Sequence, residues 1–261
     1  MNDTAHNSHP EIRFEHVDKI LSGKKVLDDI SFDIRPGEVF CIVGPSGVGK
    51  SVTLKHMVRL MTPESGVVRV GDDIVSGAEG DDLERIRERF GYLFQGGALL
   101  AWMSVFDNVA LPLREKTDME DEAICAKVRE TLARVGLENE GEKMPDAVSG
   151  GMRKRAGLAR AIIRDPEIIL YDEPTSGLDP VTSRTIDRLV RELNRTQSIT
   201  SIVVTHDLHT ALSIGTRIAM LFDGKIVELA TPQEFIDSQD ETVQAFLASQ
   251  FITREGSWER E

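Results

Sequence analysis

The chain predicts an α/β fold: a mostly parallel sheet covered on both faces, divided in sequence by a helical insert. Two observations carry this. The segments EVFCIVG (38–44), EIILYDE (167–173), SIVVTHD (201–207) and RIAMLF (217–222) hold continuous apolar runs rather than alternating ones, as strands buried on both faces do. Between them lie stretches with helical spacing, such as SVTLKHMVRLM (51–61), whose Leu54, Met57, Val58 and Met61 share a face. Strand alternating with helix implies crossover connections and parallel pairing.

Taken in order, residues 1–10 read as a flexible polar tail in which His6 and His9 are solvated. From Ile12 to Phe40, β-like segments (EIRFEHV, SFDIR) are separated by the turn signals LSGKK and RPGE, and VVRVGDDIV (67–75) continues that character. Residues 76–90 are charged and lead into a strand candidate, ERFGYLFQ. SVFDNVALPLREK, the amphipathic DEAICAKVRETLARVGL (121–137) and MRKRAGLARAIIR (152–164) then form a helix-rich insert at about 96–165. A further helix is expected near 181–195, and 241–261 reads as a C-terminal extension.

Composition excludes several functions. With 261 residues the chain suits one large domain or two intimately joined ones. A net charge of −13 argues against nucleic acid and against direct adhesion to anionic lipid, both of which need basic clusters. Cys41 and Cys125 lie far apart and read as packing residues. The opening MNDTAHNSHP is polar, so no signal peptide is expected. The longest apolar runs are far short of the roughly 18 residues of a membrane span. The expectation is a cytoplasmic protein without its own membrane insertion.

GPSGVGKS (44–51) has the G-x-x-x-x-G-K-[ST] spacing of a phosphate loop. Backbone N–H groups converge on a triphosphate only where side chains do not intrude, which the glycines permit. Gly44, Pro45, Ser46, Gly47, Val48, Gly49, Lys50, Ser51 and Val52 are therefore the candidate nucleotide-binding residues here. Lys50 reaches the β- and γ-phosphates and the Ser51 hydroxyl serves Mg²⁺. The preceding apolar strand and following helix are the context that this motif requires. EIILYDE supplies a second element: an apolar strand ending in Asp172, a metal-holding carboxylate, and Glu173, placed to polarise the attacking water. VSGGM (148–152) supplies a third, since Ser149 is a natural N-cap and Gly150 and Gly151 bare the N–H groups of a basic helix.

With GPSGVGKS, Gln95 after GYLF, VSGGM, ILYDEPTSGLD and VVTHD in this order, the sequence resembles the nucleotide-binding subunit of an ABC transporter from about Ile12 to about Ile236. The resemblance implies a RecA-like P-loop NTPase core with an antiparallel β subdomain and an inserted α-helical subdomain, together spanning 11–240. It implies ATP hydrolysis with Mg²⁺, Gln95 touching metal or water, and His206 contacting the γ-phosphate. Ser149, Gly150 and Gly151, with Asp179 of the loop Ser176–Asp179, are implied to meet ATP bound by a second copy. The working unit is then a homodimer with ATP sandwiched between subunits, attached to an integral membrane permease.

Two positions depart from the pattern. Leu21 stands where an aromatic residue usually stacks on adenine, and Met152 where the signature has glutamine. VSGGMRKRAGLARAI with FQGGALLAWMSVFDNVALPLRE is similar to the MlaF-like group, whose members serve phospholipid transporters built around MCE-domain proteins in Gram-negative envelopes. That likeness implies phospholipid cargo, an MCE-domain partner and a place on the cytoplasmic face of the inner membrane. Amino acids or organic solvents are the alternative cargo. Leu99, Leu100, Trp102, Met103, Val105 and Phe106 are candidates for the permease-docking surface, with a core role open for Val105 and Phe106. The tail FITREGSWERE (251–261) reads as a mobile end, with docking on a neighbouring subunit the alternative that Phe246, Leu247, Phe251 and Trp258 suggest. A small-molecule kinase would not need VSGGM, and an SMC-type ATPase would separate the two nucleotide motifs by a long coiled coil.

Overall fold

The computed structural model describes residues 12–252. The expected tail at 1–10, with His6 and His9, lies outside the described residues, as does Trp258. A hairpin opens the fold: β1 (Ile12–Leu21) and β2 (Lys24–Ile34), followed by β3 (Val39–Val43) and α1 (Lys50–Met57). Then come β4 (Ser65–Val70), β5 (Asp73–Ile74), α2 (Gly80–Glu88) and β6 (Phe90–Leu93). The helical stretch holds α3 (Val105–Lys116), α4 (Asp121–Arg134), a 3-10 turn at Pro145–Ala147 and α5 (Gly150–Ile162). The chain re-enters the sheet with β7 (Ile168–Asp172), then α6 (Pro180–Gln197), β8 (Thr200–Thr205), α7 (Leu208–Ile214), β9 (Arg217–Phe222) and β10 (Lys225–Ala230). Two short helices follow, α8 (Pro232–Ile236) and α9 (Glu241–Ser249).

The strands form two sheets. Six build the order β10-β9-β3-β8-β7-β6, parallel throughout except for the β9–β10 hairpin at one edge. The other four, β2-β1-β4-β5, are antiparallel. The parallel sheet divides two cores because successive side chains of a strand point to opposite faces. Val39, Cys41 and Val43 face the helical side with Tyr171, Val203 and Met220. Phe40 and Ile42 face the antiparallel sheet with Leu170, Ile202 and Leu221. Both faces being covered is why these strands read as unbroken apolar runs. Phe14, Phe32 and Phe40 stack in series and join the hairpin to the parallel sheet.

The charged stretch 76–90 contains α2, a helix the apolar pattern did not announce. Only Leu83 and Ile86 of it are buried, so its amphipathic signal is brief. Among the docking candidates, Val105 is 1% exposed and belongs to the helical core, where it packs rather than docks. Leu99 and Phe106 lean on that core, whereas Trp102 stands 76% exposed. Asn108, wholly buried, holds the loop in place by accepting from the Leu100 N–H and donating to the carbonyls of Leu100, Met103 and Ser104.

The contrast gives a test by urea unfolding. Val105→Ala leaves a cavity and is expected to cost about 2 kcal/mol. Trp102→Glu is expected to change stability by no more than about 0.5 kcal/mol.

Candidate functional site

The phosphate loop leaves β3 at Val43 and enters α1 at Lys50. Gly49 takes φ 112, and a Cβ there would stand 2.8 Å from the Val26 carbonyl oxygen, so only glycine fits the approach. No side chain caps α1 and its first turn has no acidic residue, which leaves its positive end to an anion. Lys50 is buried, its ammonium donating to the carbonyls of Gly44 (2.8 Å) and Pro45 (2.9 Å). Burial pushes its pKa down, and the Glu173 carboxylate opposes that shift.

Beside the loop opens a pocket of about 330 Å³, lined by Leu21, Val26, Ser46, Gly47, Gly49, Lys50, Ser51, Val52, Gln95 and Glu173. The sequence-predicted phosphate loop, Gln95 and Glu173 therefore meet at one place. Leu21 and Val26 make part of its wall aliphatic. Gln95 is exposed, at the end of the segment leaving β6.

β7 delivers the two carboxylates. Asp172 closes the strand and accepts from the Ser51 hydroxyl at 2.6 Å and the Tyr92 hydroxyl at 3.4 Å. Burial, then the charge of Asp172, drives the Tyr92 phenol pKa upward, keeping it a donor. At Glu173 the backbone turns left-handed, φ 51, a strained conformation for a residue with a side chain. Beyond the turn the second carboxylate meets its own set of partners. Glu173 Oε1 lies 3.5 Å from Lys50 Nζ, and Oε2 lies 2.7 Å from Nδ1 of His206. Against an ionised carboxylate Nδ1 must be the donor, which fixes the tautomer of His206 and leaves Nε2 for another partner. The arrangement holds the Glu173 carboxylate between the Lys50 ammonium and the His206 ring.

Ser149, Gly150, Gly151 and Asp179 do not line this pocket. Ser149 caps α5 by accepting from the Met152 N–H at 3.2 Å. Asp179 caps α6, accepting from the N–H groups of Val181 and Thr182 and from the Thr182 hydroxyl. The two caps are neighbours: a Cβ on Gly151 would stand 2.4 Å from Cγ2 of Thr182. They flank a separate face, next to a hollow of about 780 Å³ lined by Ser176, Leu178, Arg184 and His206. Within one chain, the residues predicted to bind nucleotide thus fall on two surfaces.

Lys154 escaped the sequence reading. Its buried ammonium reaches from α5 to the carbonyls of Glu173 (3.0 Å) and Ser176 (2.5 Å), clipping the turn that carries the carboxylate. Burial lowers its pKa to about 8. Its partners are backbone carbonyls, which no residue pattern announces.

The ABC transporter family model matches residues 27–176. The probable ribonucleotide transport ATP-binding protein mkl of Mycobacterium leprae is 40% identical over 90% of this chain and 68% of its own length. The chain spans 64% of the Mycobacterium bovis counterpart. The intermembrane phospholipid transport system ATP-binding protein MlaF of Haemophilus influenzae is 38% identical over 85% of this chain and 84% of its own. Among solved structures, the ATP-binding cassette MJ0796, in a dimeric post-hydrolysis state bound to ADP and Pi, superposes with TM-score 0.79 at 32% identity, covering 85% of this chain and 98% of that one.

Two substitutions probe the pocket by equilibrium nucleotide binding. Leu21→Tyr supplies a stacking face and is expected to tighten ATP binding by about 1 kcal/mol, roughly fivefold. Lys50→Ala removes the cation at the phosphates and is expected to weaken binding at least tenfold, in line with the roughly 1.5–3 kcal/mol of a charge-assisted hydrogen bond. An unchanged affinity in both would place the nucleotide elsewhere.

Proposed function

The chain belongs to the ABC transporter family, and on that premise we propose that it is the ATP-hydrolysing subunit of a transporter moving phospholipid between the membranes of a Gram-negative envelope. The observation that carries the hydrolytic part is the convergence of Lys50, Ser51, Asp172, Glu173 and His206 at one strand end. Glu173 is the group that takes the proton from the attacking water, and its two neighbours keep it oriented. Lys50 exchanges its carbonyl partners for phosphate oxygens when ATP enters. His206 offers Nε2 to the γ-phosphate while Nδ1 keeps hold of Glu173.

Ser51 and Asp172 form a hard oxygen pair, with the Gln95 amide at the same pocket, and such a set fits Mg²⁺. Bound there, Mg²⁺ supplies charge neutralisation at the phosphates.

The split of nucleotide residues over two surfaces supports a homodimer in which Ser149, Gly150, Gly151 and the Asp179 loop of one copy cover ATP held by the other. The dimeric state of the MJ0796 cassette favours the same arrangement. Among the described residues no helix is long and apolar enough to cross a membrane. The proposed place at the inner membrane therefore relies on a permease, with Trp102 at the contact and an MCE-domain protein in the same complex. Likeness to MlaF supports phospholipid as cargo, whereas the name of the mkl relative points to ribonucleotides.

Glu173→Gln keeps shape and removes basicity, so ATP binding is expected to persist while turnover falls by ~10²–10⁴. Turnover within threefold of wild type would remove Glu173 from its role. For cargo, the reconstituted complex is assayed for ATPase stimulation by phospholipid, ribonucleotide and amino acid. Phospholipid is expected to stimulate, and Trp102→Glu to bind ATP normally yet fail to co-purify with the permease. Stimulation by another cargo alone would leave the ATPase and discard the lipid reading.

A further inference from the structure

The histidine that grips Glu173 sits on a short loop between β8 and α7. Within it and the first turn of α7, the His206 N–H donates to Oε2 of Glu173 at 3.4 Å, the Asp207 N–H to Oγ1 of Thr205 at 3.0 Å and the Thr210 hydroxyl to Oδ2 of Asp207 at 3.2 Å. Asp207, the N-cap, accepts from the N–H groups of His209 (2.9 Å) and Thr210 (3.4 Å), and its carbonyl accepts from Ala211. Leu208 is the first helical residue, and its N–H is out of reach of that cap. It donates instead to Oε1 of Gln250 at 2.8 Å. The other end of the same amide, Nε2 of Gln250, donates to the carbonyl of His206 at 2.7 Å. One side chain from α9 thus brackets the histidine loop on both sides. The orientation of the amide is dictated by its partners, because a flipped group would set N–H against N–H and oxygen against oxygen.

Gln250 is itself held still. It ends α9, whose Val243 and Leu247 are buried in the helical core. Beyond it the chain closes with two hydrogen bonds, Phe251 N–H to the Ala248 carbonyl and Ile252 N–H to the Leu247 carbonyl, both 3.1 Å. Phe251 takes φ 58 between them, and Ile252 packs in the same core as Leu247. This is a Schellman closure with its apolar contact, built with phenylalanine at the position that glycine usually fills. A side chain projecting from so fixed a helix end has a defined reach.

We infer that Gln250 is a positioning residue for hydrolysis: it sets the backbone of the His206 loop, and through His206 it orients Glu173. This rests on the proposed ATPase reading and adds to it a residue outside the span of the family match, 27–176. The α9 segment is then part of the working site rather than an appendage. The partner surface that the C-terminal extension suggested in sequence is not needed for this role.

Steady-state ATPase assays on the full-length chain decide it, with wild type, Gln250→Met, His206→Ala and the double variant. Gln250→Met keeps side-chain length and loses both hydrogen bonds. It is expected to lower kcat about tenfold with KM for ATP within about twofold, because the phosphate loop and its Lys50, which hold the nucleotide, are left untouched. In the His206→Ala background the same change is expected to cost nothing further, the mark of two residues acting through one path. A Gln250→Met variant with wild-type kcat, or one losing the same factor with and without His206, overturns the inference. Gln250→Glu retains the acceptor for Leu208 and so protects the fold, yet it removes the donor to His206; wild-type kcat there also overturns it. Amide hydrogen exchange at Leu208 gives an activity-independent reading: Gln250→Met is expected to speed it at least tenfold, and unchanged exchange rejects the clamp. A wild-type chain without ATPase would count against the proposed function, while the exchange result would still judge the clamp.

Discussion

The left-handed turn at Glu173 is the constraint on which the site depends. An extended strand would have pointed Asp172 and Glu173 to opposite faces of the sheet, one toward the phosphate loop and the other into a core. Instead the backbone kinks at φ 51, and both carboxylates stay at the strand end with separate partners. Such a conformation persists only where neighbours over-determine it. Here the Glu173 N–H is held by the Val204 carbonyl and its own carbonyl by Lys154. The side chain is fixed in turn by Lys50 and His206.

These holds come from different parts of the chain, which explains the layering of the molecule. Val204 belongs to β8, Lys154 to α5, Lys50 to α1 and His206 to the loop after β8. The parallel sheet aligns the ends of β3, β7 and β8, so the phosphate loop, the carboxylates and the histidine emerge side by side. The helical insert brings Lys154 from behind. Neither core alone suffices, since α1 packs with one and α5 with the other.

Much of this was legible in the sequence, and the reason is local. The phosphate loop and the strand ending in Asp172 and Glu173 are contiguous segments whose residue types are dictated by phosphate chemistry and by burial on two faces. The two-sheet plan followed from the resemblance, while the unbroken apolar strands stand on their own physics. What stayed hidden acts across the chain through backbone atoms. Lys154 and Gln250 bond to carbonyls and N–H groups, which every residue has, so their partners leave no mark on composition or spacing. Helix α2 was hidden because two buried side chains in nine residues make too short a pattern. Val105 was left open between core and docking surface, because an apolar residue beside an exposed tryptophan gives no hint of which way it faces.

The contact between Gly151 and Thr182 has a mechanical consequence. It seats the start of α5 closely against the start of α6, so the two capped helix ends lie side by side along one edge. A body that docks there meets both ends together or neither. A surface that reads the α5 cap therefore reads the α6 cap in the same encounter. The price is intolerance: a side chain larger than hydrogen at 151 runs into the Thr182 methyl and shifts one helix start against the other.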